Sequence, residues 1–240
     1  MKKVEILPNR ILPDRIGVPE EMDWERGKKI YQKIGMEKRE DSKKGFYLAI
    51  EGIDTAGKTT QINRLQARIP TALFIKEPGF TSVGKKLREI VLFQEIHSRT
   101  ELLLFLADRT ELIERVIRPN RSKLIISDRS LVSGIAYGVA GGEGLDQLIR
   151  FNKFATGGIL PDHVVILKLT YQELERRLKG KKRDRIETRG ITYLLKIQTL
   201  LEEATARLGI PTTILDASLP PELITAQIFT LLPVGIRKKG

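Results

Sequence analysis

The residues best equipped for chemistry lie in Gly52-Ile53-Asp54-Thr55-Ala56-Gly57-Lys58-Thr59, a complete G-x-x-x-x-G-K-[ST] pattern, followed by Thr60. Gly52 and Gly57 let the backbone curl so that consecutive N–H groups face one point, where phosphate oxygens can accept from them. Lys58 is placed to reach β- and γ-phosphates, the Thr59 hydroxyl to ligate Mg2+, and Thr60 to assist at the α-phosphate. At ordinary residue frequencies the pattern arises by chance in roughly one chain per hundred. Its position argues against chance, because Phe46 to Ile50 reads as a short buried strand before it and Lys58 to about Arg68 as a helix after it. A helix beginning there adds its positive end to the loop's donors. The pattern implies a nucleoside triphosphate site contacted by Gly52 through Thr60. Switches, motors and ATPases share the loop with kinases, so it does not name the reaction.

Other residues could extend that chemistry. Asp128 follows the apolar run Leu124 to Ile126, which sets a carboxylate at the C-terminal end of a buried strand, where open α/β sheets bind ligands. It can hold Mg2+ through water, and Arg129 beside it can pair with phosphate; an internal Asp–Arg ion pair is the alternative. Phe105 and Arg109 share a helix face at i, i+4 spacing, so a ring could stack on a base while a guanidinium donates to a carbonyl at its edge. Leu102, Leu103, Leu104 and Leu106 leave a plain core role for Phe105 open. The run from Arg176 to Arg185 offers the positive charge that a moving phosphoryl group needs, with Arg183 and Arg185 as candidates and Lys182 behind them. A solvated basic turn of the kind found in nucleic-acid binders reads the same way.

The elements that must position these residues are legible at low resolution. Ala72 to Ile75, Leu124 to Ile126, Val164 to Leu169 and Thr212 to Leu215 read as strands, the third β-branched and set between Pro161 and Thr170. Glu101 to Ile117 and Ile191 to Leu208 read as helices. Strands alternating with helices predict a parallel sheet covered on both faces. The 240 residues suffice for one α/β domain with an appendage. Residues 1–45 are the appendage: Pro8, Pro13 and Pro19 interrupt apolar pairs, and Glu20 to Lys44 is highly charged. A helix through Trp24 to Ile34 could dock there by Trp24, Ile30, Tyr31 and Ile34, a poorly ordered arm is equally compatible, and translation could start at Met36. A net charge of +12 suits polyanions, either nucleic acid or nucleotides. With no cysteine, disulfides and thiolate metal sites are excluded. No apolar run is long enough for a membrane span, and none follows Lys2 and Lys3 as a signal peptide requires, so a cytoplasmic protein is expected.

Taken in order, these segments resemble the thymidylate kinase family over Phe46 to about Leu232. Glu51 to Thr60 is similar to its opening signature, and Lys76-Glu77-Pro78-Gly79 to its loop after the second strand. Phe105 with Arg109 resembles its thymine-recognition helix, Asp128-Arg129-Ser130 through Ser133 to Tyr137 its second signature, and Asp184 to Glu187 its lid. The resemblance implies a three-layer P-loop NTPase fold, α/β, with a parallel five-stranded sheet, helices on both faces and a short mobile lid at about 179–189 in a domain spanning 46–240. It implies ATP-dependent phosphorylation of dTMP to dTDP, in dTTP synthesis, by direct in-line transfer with Mg2+. Lys58, Asp128, Arg183 and Arg185 would be catalytic, and Thr59 and Asp128 would serve the metal. The dTMP contacts would be Asp54 at the sugar 3′-hydroxyl, Arg129 and Arg88 at the acceptor phosphate, Phe105 and Arg109 at the base, with Glu77, Ser133 and Tyr137 completing the pocket. Family members are commonly homodimers, and neither a membrane nor nucleic acid is implied as partner.

The chain also departs from the family pattern. Gly138 stands where bacterial relatives usually have glutamine, Phe80 replaces a second glycine after Pro78, and Lys76 stands where arginine is frequent. Thr55 and Ala56 leave the loop without the arginine that some members carry there, so the lid must supply it. Arg88, beside Lys85 and Lys86, also reads as a solvated helix arginine. A deoxynucleoside kinase acting on thymidine, a P-loop nucleic-acid-binding ATPase and a catalytically silent relative are the competing readings.

Overall fold

The computed structural model of the protein describes residues 45–179 and 190–233. The N-terminal extension with its expected helix, most of the expected lid, and Arg183 and Arg185 lie outside the described residues.

All the sheet pairings are parallel, in the order β2-β3-β1-β4-β5. The strands are β1 (Phe46–Gly52), β2 (Leu73–Lys76), β3 (Leu124–Asp128), β4 (His163–Lys168) and β5 (Thr212–Asp216). The central three are near-continuous apolar runs, as strands buried on both faces must be. Alternation sorts their side chains: Leu124 and Ile126 join the main core, while Ile125, with Tyr47 and Ile75, joins a second cluster on the opposite face. Both faces are therefore covered, as the strand–helix alternation predicts. Ile50 pairs with Asp128 and Lys76 with Asp128, so the ends of β1, β2 and β3 meet at one edge of the sheet.

The helices are α1 (Lys58–Arg68), α2 (Ser82–Phe93), α3 (Ser98–Leu112), α4 (Leu131–Ala140), α5 (Leu145–Ala155), α6 (Tyr171–Leu178), α7 (Ile191–Leu208) and α8 (Pro221–Leu231). In α7, Leu194, Ile197, Leu201 and Leu208 form one apolar stripe, and the helix stops at Gly209, whose φ of 67° closes it in the left-handed conformation. That stripe packs on α4, which carries candidate site residues. The single helix expected from Glu101 to Ile117 is instead α3 followed by a π-helical turn, Ile113–Ile117, and a 3-10 turn, Arg118–Asn120. The wider turn buries both Ile113 and Ile117 in the second cluster, and Pro119, with no N–H to donate, ends the helical ladder. Among the described residues no helix is long and apolar enough to cross a membrane.

Candidate active site

The glycine loop has the curled backbone its sequence demands. Gly52 has φ 151° and Gly57 φ 94°, and a Cβ on Gly52 would stand 2.9 Å from the Leu167 carbonyl oxygen, so no other residue fits there. Thr55, at φ 69°, shares the left-handed region at some cost in strain. No side chain caps the N-terminus of α1 and no acid lies in its first turn, which leaves its N–H groups for an external anion. Lys58 is folded back into this cradle: its Nζ donates to the carbonyls of Gly52 at 3.0 Å and Ile53 at 2.9 Å and lies 3.8 Å from Asp54. Burial pushes the Lys58 ammonium down to about 8, with Arg129 adding to the effect and Asp54 opposing it.

Arg129 joins this loop to the end of β3. Its Nη2 meets Asp54 Oδ1 at 2.6 Å, and its Nη1 donates to the Gly52 carbonyl at 3.2 Å and Ser133 Oγ at 3.1 Å. The guanidinium lies over the Tyr137 ring, 5.6 Å from its centre. Arg129 itself sits at φ 69°, a strained conformation for a residue with a side chain, and its carbonyl accepts from Ser127 Oγ. Beneath it, fully buried Glu51 accepts from Ser130 Oγ at 2.7 Å and from Ser133 Oγ at 2.5 Å. Burial pushes the Glu51 carboxyl up, and the Ser133 and Ser130 bonds oppose that. Burial also raises the Tyr137 hydroxyl to about 12, which keeps it a donor.

A second cluster forms where α3, α5 and the turn after β2 meet. Arg109 donates from Nε to Glu77 Oε2 at 2.8 Å, from Nη1 to Asn152 Oδ1 at 2.6 Å, and more weakly from Nη2 to the Ser130 carbonyl at 3.5 Å. Burial pushes Glu77 up while the Arg109 charge pulls it back. Asp108, adjacent on α3, accepts from the Gly79 N–H, and Arg88 Nη1 donates to the Pro78 carbonyl at 3.1 Å. The turn is thus clamped from two helices. Phe105 is half-buried and belongs to neither apolar cluster, which weighs against a plain core role.

The donor set suits a magnesium ion that arrives with phosphates. Asp128 Oδ1 is buried without a hydrogen-bond partner at the end of β3, near enough to Lys58 to act on its charge, and Thr59 is exposed at the start of α1. Among the described residues no group of three or more carboxylate and histidine side chains could hold a metal alone, so most ligands would have to be water and substrate oxygens. A cleft of about 460 Å³ opens beside the loop, lined by Thr55, Gly57 and Thr60 on one side and by Arg177, Ala217 and Ser218 on the other. Arg177 spans it, donating to the Thr55 carbonyl at 2.9 Å and the Ala217 carbonyl at 2.6 Å.

The structure therefore gathers Asp54, Lys58, Arg129, Ser133 and Tyr137 in one region and Glu77 with Arg109 in an adjoining one, linked through Ser130. Arg88, on α2, reaches the turn that carries Glu77 through the Pro78 carbonyl, while Phe105 makes no polar contact. Sequence reasoning did not single out Glu51, Asp108, Ser130, Asn152 or Arg177 for these contacts. Glu51 and Asp108 carried a usable signal, Glu51 as an acid within an apolar strand and Asp108 as one that ends the apolar run Leu102 to Ala107. Asn152 carried none.

A family model described as thymidylate kinase matches residues 50–228. The chain is similar to the thymidylate kinase of Wolinella succinogenes, 54% identical over 186 residues that cover 76% of this chain and 96% of the relative. It is 53% identical to the thymidylate kinase of Sulfurimonas denitrificans, covering 76% and 97%, and 50% identical to that of Aliarcobacter butzleri, covering 79% and 100%.

Proposed function

The chain belongs to the thymidylate kinase family, and from that premise we propose how its own residues carry the reaction. It is a dTMP kinase that transfers a phosphoryl group from ATP to dTMP. Arg129 is the observation that carries our site assignment: one guanidinium touches the phosphate loop, Asp54 and α4, where donor and acceptor must meet.

In this reading Gly52 through Thr60 hold the ATP phosphates, with Lys58 leaving the loop carbonyls for the β- and γ-oxygens. The cleft beside Arg177 and Ala217 takes the adenosine end. Thr59 and, through water, Asp128 would hold Mg2+, which supplies charge neutralisation across the phosphates. Phe105 stacks on thymine, Arg109 donates to its carbonyl edge, and Asp54 accepts from the sugar 3′-hydroxyl. Ser133, Tyr137 and Glu77 shape the pocket, while Arg129 and Arg88 hold the 5′-phosphate. An oxygen of that phosphate attacks the γ-phosphorus as the bond to the ADP oxygen breaks, with Arg183 and Arg185 over the equatorial oxygens. Positioning and charge supply most of the acceleration.

We assign this activity to a domain beginning near residue 46, which accords with the family model's match from residue 50, and we place the protein in the cytoplasm. A homodimer is also proposed. The helices α2, α3 and α5 pack side by side, and Leu92 and Phe93, Leu103, and Phe151 and Phe154 stand exposed on them.

The test is ADP release from Mg-ATP with dTMP, thymidine, dUMP, dCMP or no acceptor. Turnover selective for dTMP is expected. Turnover with thymidine alone, or hydrolysis stimulated by DNA and independent of a nucleotide acceptor, would overturn the reading.

A further inference from the structure

Asn152 holds Arg109 at a point that the Glu77 ion pair does not reach. Glu77 grips Nε, near the pivot of the guanidinium, and the Ser130 carbonyl is a long 3.5 Å from Nη2. Asn152 Oδ1, at 2.6 Å from Nη1, is the second firm contact, and two contacts on different nitrogens fix the plane. Gly134 supplies the room, since a Cβ there would stand 2.9 Å from both Nη atoms.

The amide has an unambiguous orientation. Its Nδ2 donates to the Leu148 carbonyl at 2.8 Å and its oxygen accepts from Arg109; a flipped amide would face donor with donor. Asn152 is 0% exposed on a face of α5 shared with Leu148, Ile149 and Ala155. A polar side chain there costs stability unless bonded, and an apolar one would pack without that demand. A neutral acceptor also leaves the local charge balanced, because Glu77 already matches Arg109 and a further carboxylate would add buried negative charge.

We infer that Asn152 is a positioning residue for base recognition: it fixes the Arg109 guanidinium so that an N–H it leaves free meets a carbonyl edge of the acceptor's base. The inference rests on the proposed role of Arg109. A fixed donor fork accepts a pyrimidine with a carbonyl at that edge and conflicts with one that carries an amino group, as cytosine does. A fork free to swing loses that discrimination without losing its charge.

The experiment compares kcat and KM of Asn152→Leu, Asn152→Asp and Arg109→Ala for dTMP and dCMP with Mg-ATP. Asn152→Leu should raise the dTMP KM about tenfold and cut the dTMP-over-dCMP preference about tenfold. Its ATP KM should not move. Asn152→Asp, which keeps an acceptor, should retain most of the preference, a rescue that a merely structural residue would not show. If the leucine variant fails to fold, Asn152→Ser, too short to reach Arg109, takes its place with the same expectation. Undiminished preference in these variants, while Arg109→Ala has lost it, would overturn the inference. Undiminished preference in Arg109→Ala would instead overturn the role proposed for Arg109.

Discussion

The two ends of the proposed acceptor–donor site are built in different ways. The phosphate end is mostly consecutive backbone, Gly52 through Gly57, with one lysine and one uncapped helix terminus. The proposed base end is assembled from elements far apart in the chain: the side chains of Glu77 after β2, Arg109 on α3 and Asn152 on α5, with the Ser130 carbonyl at the start of α4. The first holds a cation that burial disfavours, waiting for its anion. In the second, a buried cation is already paired. Substitution should therefore separate function from stability at one end and entangle them at the other.

The largest effect is expected at the phosphate end. Lys58→Ala should lower kcat by about a thousandfold or more, because charge developing on the transferred group loses its fixed partner. Stability should not fall, since the change removes a buried ammonium whose burial is unfavourable. A thermal melt of this variant well below that of the parent would break the contrast. Arg109→Ala should lower kcat/KM for dTMP about a hundredfold and, by stranding Glu77, also cost about 3 kcal/mol of stability. The double variant Arg109→Met with Glu77→Gln should recover most of that stability and none of the dTMP affinity. Recovery of both would reduce Arg109 to a structural ion pair.

The same contrast explains what could be read from the sequence. The loop was legible because its geometry is local: glycines at fixed spacing dictate the curl, and strand and helix signals flank it. The strands and α1 and α7 were legible from apolar runs and helical periodicity, to within a few residues at the ends. The π-helical turn at Ile113–Ile117 was not, since it answers to packing in the second cluster rather than to any local preference. Nor was the base end. Arg109 drew notice through its spacing from Phe105, and Glu77 only through resemblance, and Asn152 gave no sign of the arginine it meets 43 residues away in the chain. Arg177 was visible as charge in a basic run, but nothing local tied it to Thr55 and Ala217.

A pH series sharpens the contrast without mutation. Below about 8 Lys58 is protonated both folded and unfolded, so its burial penalty is fully present. Between about 8 and 10.5 the unfolded chain binds more protons than the folded one, so this residue makes stability rise with pH. ATP affinity should move the other way, because bound phosphates require the ammonium. Raising the pH from about 7 to 9 should weaken ATP binding about tenfold, with proton uptake on binding measurable by calorimetry in buffers of different ionisation enthalpy. Binding of dTMP, whose proposed base contact is an arginine, should be far less affected. Equal loss for both ligands would mean that Lys58 is not the titrating group.

The smallest effect is also the most selective, and it uses two glycines of one helix. Gly134 and Gly138 lie a turn apart on α4, and either could be replaced by alanine with a gain in helix propensity of about 1 kcal/mol. Their neighbours differ. A Cβ on Gly134 meets both Nη atoms of Arg109 at 2.9 Å, and that guanidinium is tied to Glu77 and Asn152, so it cannot yield without losing a bond. A Cβ on Gly138 meets the Cδ atoms of Leu148 at 2.8 and 3.0 Å, and that fully buried side chain must repack within the apolar core. Gly134→Ala should therefore raise the KM for dTMP about fivefold and lower the melting temperature, with ATP binding unimpaired, while Gly138→Ala should lower the melting temperature and leave that KM nearly unchanged. Equal effects on that KM would mean that the base end tolerates displacement of its arginine, and that charge rather than fixed geometry recognises the acceptor.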